Sequence, residues 1–308
     1  SVLNGFMRIS NVDVYVTGSN AKFLSKDIIT EFRGRGDELH MNPLSFAEFM
    51  SVYQGNKYDG WNEYVLYGGL PPVVLLPTPE QKIELLKRLF DETYINDIVG
   101  RHRIRNKDEF EDLINTLSSG IGSLTNPKKL ADTFRTKKKI KISVNTIKNY
   151  LDYLCDAFIV SRATRYDIKG KKYIDTPQKY YFSDVGLRNA RINFRQIEEN
   201  HTMENILYNE LRYRGYNVDI GEVGIREKTD RKDQNGKPIY TQKTLEVDFV
   251  ASNGASKYYI QSALSLPDDE KESQEKRPLY RIDDSFTKLI VTKNGLHTRR
   301  DTQLSATH

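Results

Sequence analysis

Apolar positions recur three and four apart through the middle of this chain, and past residue 159 the period shortens to two, the spacing of strands. Near the start, Val12, Val14 and Val16 alternate with polar residues and predict a strand that ends in Thr17-Gly18-Ser19-Asn20. From Phe46 to about Arg105 the pattern is helical, broken by the turn signal Gly68-Gly69-Leu70-Pro71. Ile83, Leu86, Leu89 and Phe90 place Asp91 and Glu92 on the solvated side of one such helix. Phe110, Leu113, Ile114 and Leu117 predict another. The next opens at Asn126-Pro127, a cap followed by a first-turn proline, and carries Leu130, Ala131 and Phe134. A third begins after Ser143, with Val144, Ile147, Leu151, Leu154 and Phe158 on its apolar side. Strands at Ile159–Tyr166 and Lys171 to about Phe182 follow, joined by Asp167-Ile168-Lys169-Gly170. The remainder predicts a helix at His201–Tyr213, a short strand at Asn217–Gly221 and a polar excursion to Lys243. Strands at Leu245–Ala251 and Lys257–Ala263, a helix at Asp268–Leu279 and a strand at Lys288–Thr292 complete it. The tail NGLHTRRDTQLSATH is polar throughout and is expected to be disordered.

Three helices and then a hairpin is the order of a winged helix-turn-helix, in which the third helix is presented to the major groove. Charge supports that reading. Arg135, Lys137, Lys138, Lys139, Lys141 and Lys148 lie between Asp132 and Asp152 with no acid among them. Asn145 and Asn149 are the side chains on the third helix best able to read base edges. The wing adds Arg162, Arg165, Lys169, Lys171 and Lys172. A solvated basic loop on a module that packs only against protein is the alternative.

Composition adds limits. At 308 residues the chain has room for two or three domains. Hydrophobic residues make up 38% and charged ones 29%, enough for buried cores in a soluble protein. No apolar run reaches the ~20 residues that span a bilayer, and no signal peptide opens the chain, so no membrane partner is expected. The single cysteine, Cys155, lies in an apolar run, reads as a core filler, and fits a cytoplasmic location. The net charge of +5 permits nucleic-acid contact without requiring it.

The strand ending in Ser19-Asn20, then Gly34-Arg35 and the string MNPLSFAEFM at Met41–Met50, closely resemble prokaryotic AAA-type ATPases with a restriction-nuclease-like C-terminal domain. The Gly-Gly-x-Pro element and KYYFSDVGLRNA at Lys179–Ala190 match the same family; Asp184 within the latter reads as a structural turn residue. The resemblance implies a mixed α/β and α+β multidomain chain. Residues 1–48 would be the end of an ATPase core, 49–105 a helical lid, 106–196 the winged-helix unit and 197–308 the nuclease-like unit. It also implies that Ser19 and Asn20 sense the terminal phosphate of ATP, and that Arg35 acts as an arginine finger in a neighbouring copy, so that the ATPase part self-associates. ATP and magnesium belong to the intact family protein. Gly170-Lys171 and Gly236-Lys237 are the only Gly-Lys pairs and neither fits a phosphate loop, so this chain is expected to need no cofactor and to hydrolyse no ATP. The missing front and the polar tail are read as marks of a shortened chain.

Glu204, Glu246-Val247-Asp248 and Tyr259-Ile260-Gln261 resemble the PD-(D/E)xK nuclease core, whose acids hold magnesium and whose E-x-K lysine orients the attacking water. Here the triplet is Gln261-Ser262-Ala263: an amide replaces the carboxylate and a methyl group replaces the ammonium. Lys243 or Lys257 would have to supply the missing cation. The expectation is therefore a nucleic-acid- or partner-binding module without catalysis of its own and without a bound metal. A metal-dependent nuclease using Glu204, Glu246 and Asp248, and a protein-only docking module, are the alternatives.

Overall fold

The computed structural model describes residues 5–6, 8–18, 39–195, 197–232, 236 and 238–293. A helical half precedes a sheet half. The helical half comprises α1 (Phe46–Val52), α2 (Lys57–Tyr67), α3 (Pro71–Val74), α4 (Pro79–Arg88), a π-helical segment (Leu89–Ile95) and α5 (Asn96–His102). It continues with α6 (Lys107–Ser119), α7 (Pro127–Lys137) and α8 (Val144–Asp156). Side chains just outside the helices start them. Ser45 and Glu48 form a reciprocal capping box on α1, Asn56 caps α2, and Ser143 Oγ accepts from Thr146 N at 3.0 Å to open α8. Phe110, Leu113, Phe134, Ile147, Leu151 and Leu154 bury their side chains in one core.

The hairpin β1 (Val160–Asp167) and β2 (Lys172–Phe182) follows, then α9 (Val185–Arg191) and α10 (Glu199–Tyr213). The chain goes on through β3 (Asn217–Lys232), β4 (Pro238–Asn253), β5 (Ser256–Ala263), α11 (Asp269–Leu279) and β6 (Thr287–Thr292). The six described strands form one mixed sheet in the order β2-β1-β3-β4-β5-β6. The β1–β3 and β5–β6 pairs are parallel and the others antiparallel. The hairpin expected as a wing is thus an outer pair of the same sheet that carries the C-terminal strands, and Arg165 in β1 aligns with Ile220 in β3.

The sheet is covered on both faces. Tyr208 and Leu211 of α10 pack on Tyr181, Ile220, Phe249 and Ile260, with Tyr181 stacked on Tyr208 at 4.4 Å between ring centroids. On the opposite face, Leu279 of α11 and Ile282 pack on Val223, Ile225, Val247 and Tyr259. Asn205 of α10 takes the place of a ladder partner at the end of β2. Its Oδ1 accepts from Phe182 N and its Nδ2 donates to Phe182 O, both at 2.7 Å. Asp184 fills the structural role read from the sequence. It caps α9 through Leu187 N at 3.0 Å and accepts from Gly69 N at 2.7 Å. Gly68 sits there at φ +75°, where an added Cβ would strike the Asp184 carboxylate.

Two expectations need correction. Residues 12–18 form no strand; Val12 and Val16 are each 40% exposed, and no described strand lies beside them to complete a ladder. Within the expected excursion between Gly221 and Lys243, residues 222–232 and 238–242 are not loop but continue β3 and β4 as a two-stranded ribbon. Val223 and Ile225 on one face bury against α11, and the positions between them point to the other face.

Candidate functional site

Three of the residues expected to form an acidic site converge beside α10, on the sheet face that α10 covers. Glu204 projects from α10, and Glu246 and Asp248 from β4. Between Glu204 and Glu246 stands Lys179 of β2, which the sequence reading did not include. Its Nζ lies 2.9 Å from Glu204 Oε1 and 2.6 Å from Glu246 Oε1. Side-chain exposure is 4% for Lys179, 8% for Glu204 and 36% for Glu246, so the ammonium is enclosed while one of its acids reaches water. Tyr181 OH also donates to Glu204 Oε1, at 2.5 Å, and His201 Nδ1 lies 3.8 Å from Glu204 Oε2, which makes an ion pair when the imidazole is protonated.

The electrostatics follow from this packing. Burial alone would raise the Glu204 carboxyl, but the His201 imidazole, the Lys179 ammonium and the Tyr181 hydroxyl hold it below its ordinary range. Burial opposes a charged Lys179 as well, and its two carboxylates outweigh that cost and keep it protonated. Among the described residues Asp248 has no cation in ion-pair contact. Burial first, and then the Glu204 charge, push it up to about 7, although its Oδ2 accepts from Ser262 N at 2.7 Å.

Gln261 lies next to Asp248 but is spent on structure. Its Oε1 accepts from Asp248 N at 2.9 Å, and its Nε2 donates to Glu275 Oε2 of α11 at 3.2 Å. Ala263 is buried within β5. The two lysines expected to stand in for the missing ammonium are engaged elsewhere: Lys243 faces Glu227 at 3.5 Å, and Lys257 lies over the Phe286 ring. A magnesium ion requires several converging oxygens that carry net negative charge. Here one ammonium bridges two of the three carboxylates and offsets one of their charges, and among the described residues no three His, Cys, Asp or Glu side chains form a metal-holding group. The donor set does not fit a divalent cation. Lys179 was legible in one respect: strand alternation places it on the same face as buried Tyr181, an unusual phase for a lysine.

The expected nucleic-acid face is built by α7, the loop after it and α8. Burying Ile147, Tyr150, Leu151 and Leu154 turns Asn145, Lys148 and Asn149 together to solvent, three and four residues apart. Arg135, Lys137, Lys138, Lys139 and Lys141 are also exposed. Not all of that charge is available. Arg135 pairs with Asp132, and Lys138 pairs with Asp112 of α6. Two cations expected on the wing are likewise held: Arg162 pairs with Asp152 of α8, and Arg165 with Glu222 of β3. Lys137, Lys139, Lys141 and Lys148 make no ion pair among the described residues. Ser19, Asn20 and Arg35 lie outside the described residues.

Residues 1–50 match the AAA domain, and residues 58–198 match a domain of unknown function (DUF8612). An uncharacterised protein of Haemophilus influenzae is 35% identical over 292 residues, which cover 93% of this chain and 67% of that protein. An uncharacterised protein of Methanocaldococcus jannaschii is 30% identical over 278 residues, covering 86% of this chain and 58% of the relative. No solved structure matches the chain. Among the described residues no helix is long and apolar enough to cross a membrane. With that identity and coverage, the chain belongs to the same family as the Haemophilus influenzae protein, and its first 50 residues relate it to AAA domains.

Proposed function

We propose that this chain is part of a longer cytoplasmic AAA-type ATPase and binds duplex nucleic acid through a winged-helix-like region without cutting it. The observation that carries the reading is the outward face of α8. Asn145, Lys148 and Asn149 share it, and Lys137, Lys139 and Lys141 stand exposed on the approach to it. Lysines contribute by neutralising phosphates, while the two asparagine amides can donate to and accept from base edges. The ATPase part supplies ATP and magnesium binding in the whole protein, together with contacts between copies.

The test is a duplex DNA titration at several salt concentrations, comparing wild type with Lys137→Ala/Lys139→Ala/Lys141→Ala. Each lost phosphate contact lowers the slope of log affinity against log salt by roughly 0.9. The variant should bind more weakly to every sequence and with a flatter slope. Equal affinity and equal slope would remove α8 and its approach as the DNA surface. Lys138 is left out because Asp112 already neutralises it.

A nuclease is the second reading, favoured by one observation: an ammonium does stand among Glu204, Glu246 and Asp248. Lys179 is bound to two of those carboxylates at once, however, so it acts as their counterion and has no free path to orient a water. Magnesium- or manganese-dependent cleavage by wild type that disappears in Asp248→Ala would establish the nuclease instead.

A further inference from the structure

The ribbon formed by β3 and β4 outruns its neighbours. β1 pairs with β3 only at residues 220–222, and β5 pairs with β4 only at 249–253. From Val223 and Leu245 outward the two strands have only each other among the described residues. One face is committed: Val223, Ile225 and Leu245 pack toward α11, and Glu227 is held by Arg277 of that helix. The other face is open. Cross-strand register sets Gly224 opposite Thr244, Arg226 opposite Gln242, and Lys228 opposite Tyr240. All six are exposed, Tyr240 at 58%, and a Cβ added at Gly224 would meet nothing within 4 Å.

The chemistry of this face is one-sided. It carries no carboxylate from Gly224 to Lys228 or from Tyr240 to Thr244. The acids at its base, Glu222 and Glu246, already have Arg165 and Lys179 as partners. Arg226 and Lys228 make no ion pair among the described residues. Two residues apart on one strand, they stand ~7 Å apart along the face. An exposed aromatic ring beside paired cations, with an amide and a hydroxyl alongside, is the equipment of a single-strand grip: cations track phosphates and the ring stacks on a base. We infer that the outer face of the β3–β4 ribbon binds single-stranded nucleic acid, with Arg226 and Lys228 on the backbone and Tyr240 stacked on a base. None of these residues belongs to the α8 face, so this surface stands or falls separately from duplex binding.

Fluorescence anisotropy with a labelled oligothymidylate tests it, using wild type, Tyr240→Ala, Arg226→Glu/Lys228→Glu and the α8 triple-lysine variant. All substituted side chains are exposed, and the fluorescence of the single tryptophan, Trp61, checks that each variant is folded. Losing the stacking ring should weaken binding roughly tenfold. The charge reversal should weaken it by at least as much and flatten the salt dependence. The triple-lysine variant should retain oligothymidylate binding. Undiminished binding by both ribbon variants would overturn the inference while leaving the duplex reading intact. A wild type that does not bind oligothymidylate would overturn it too, and would make the ribbon a surface for protein contact.

Discussion

Replacing Lys179 with methionine keeps the length of the side chain and removes the cation that, among the described residues, faces both Glu204 and Glu246. The consequences differ for the two acids. Glu246 is 36% exposed and can recover hydration, so its share of the cost is small. Glu204 is 8% exposed and cannot. Removing one partner of a buried pair costs about 3–5 kcal/mol. Tyr181 still donates to Glu204 at 2.5 Å, which puts the expected loss at the lower end, ~3 kcal/mol. Urea unfolding followed by Trp61 fluorescence is the assay. Its indole packs edge-on against Phe46 at 5.3 Å and donates to Glu199 of α10, so it reports separation of the helical half from α10. Adding Glu204→Gln removes the stranded charge, and the double variant should recover most of the loss, with a coupling energy of ~2 kcal/mol in the cycle. The sign with pH is fixed as well. In wild type, Glu204 is held below its ordinary 4.5, so its stabilisation is present above that pH and is lost as pH falls through the lowered value. Without Lys179, one of the groups that hold Glu204 low is gone and Glu204 takes up a proton at higher pH than in wild type, so the gap between variant and wild type narrows on acidification. A single variant as stable as wild type, or a coupling energy under ~0.5 kcal/mol, would show that the ammonium is not the counterion of Glu204.

Two further outcomes follow from buried groups. Burial pushes Asp184 up to about 6, so the folded chain binds that proton before the unfolded one does. Relative to Asp184→Asn, wild type should lose up to ~3 kcal/mol as pH rises from about 4 to about 6, and a pH-independent difference refutes this. Burial likewise raises the Cys155 thiol to about 11, so a disulfide reagent near pH 8 should modify the folded protein slowly and the urea-unfolded protein fast. Equal rates in the two states would place the thiol in solvent.

The helical half was largely legible because its signals are local. Asn126-Pro127 and Ser143 mark helix starts, and the spacing of Phe110, Leu113, Ile147 and Leu151 marks the sides that meet in the core. Strand pairing depends on residues far apart, and there the reading ran short. Nothing near Arg165 announces Ile220 as its parallel neighbour, which is why the hairpin read as a free wing rather than as the flank of a sheet. The ribbon has no strand signature in the sequence because Arg226, Lys228 and Gln242 dilute the apolar signal of Val223 and Ile225, and residues 238–244 of β4 carry no alternation of their own. Glu204, Glu246 and Asp248 were named from the chain and do converge. Lys179 was missed because its partners lie 25 and 67 positions away, beyond the reach of any local pattern. The charge run before α8 was visible as composition, yet only the fold shows that Lys138 is spent on Asp112 while Lys137, Lys139 and Lys141 are not.

The central claim, binding without cutting, is tested most directly by incubating end-labelled duplex DNA with the protein and magnesium. The products are then run on a native gel and, from the same sample, on a denaturing gel. The expected result is a retarded band at low salt that weakens steeply as salt rises, with the labelled strand still at full length. DNA that is not retarded at any salt concentration, or strands that are shortened by wild type and intact with Asp248→Ala, would contradict it.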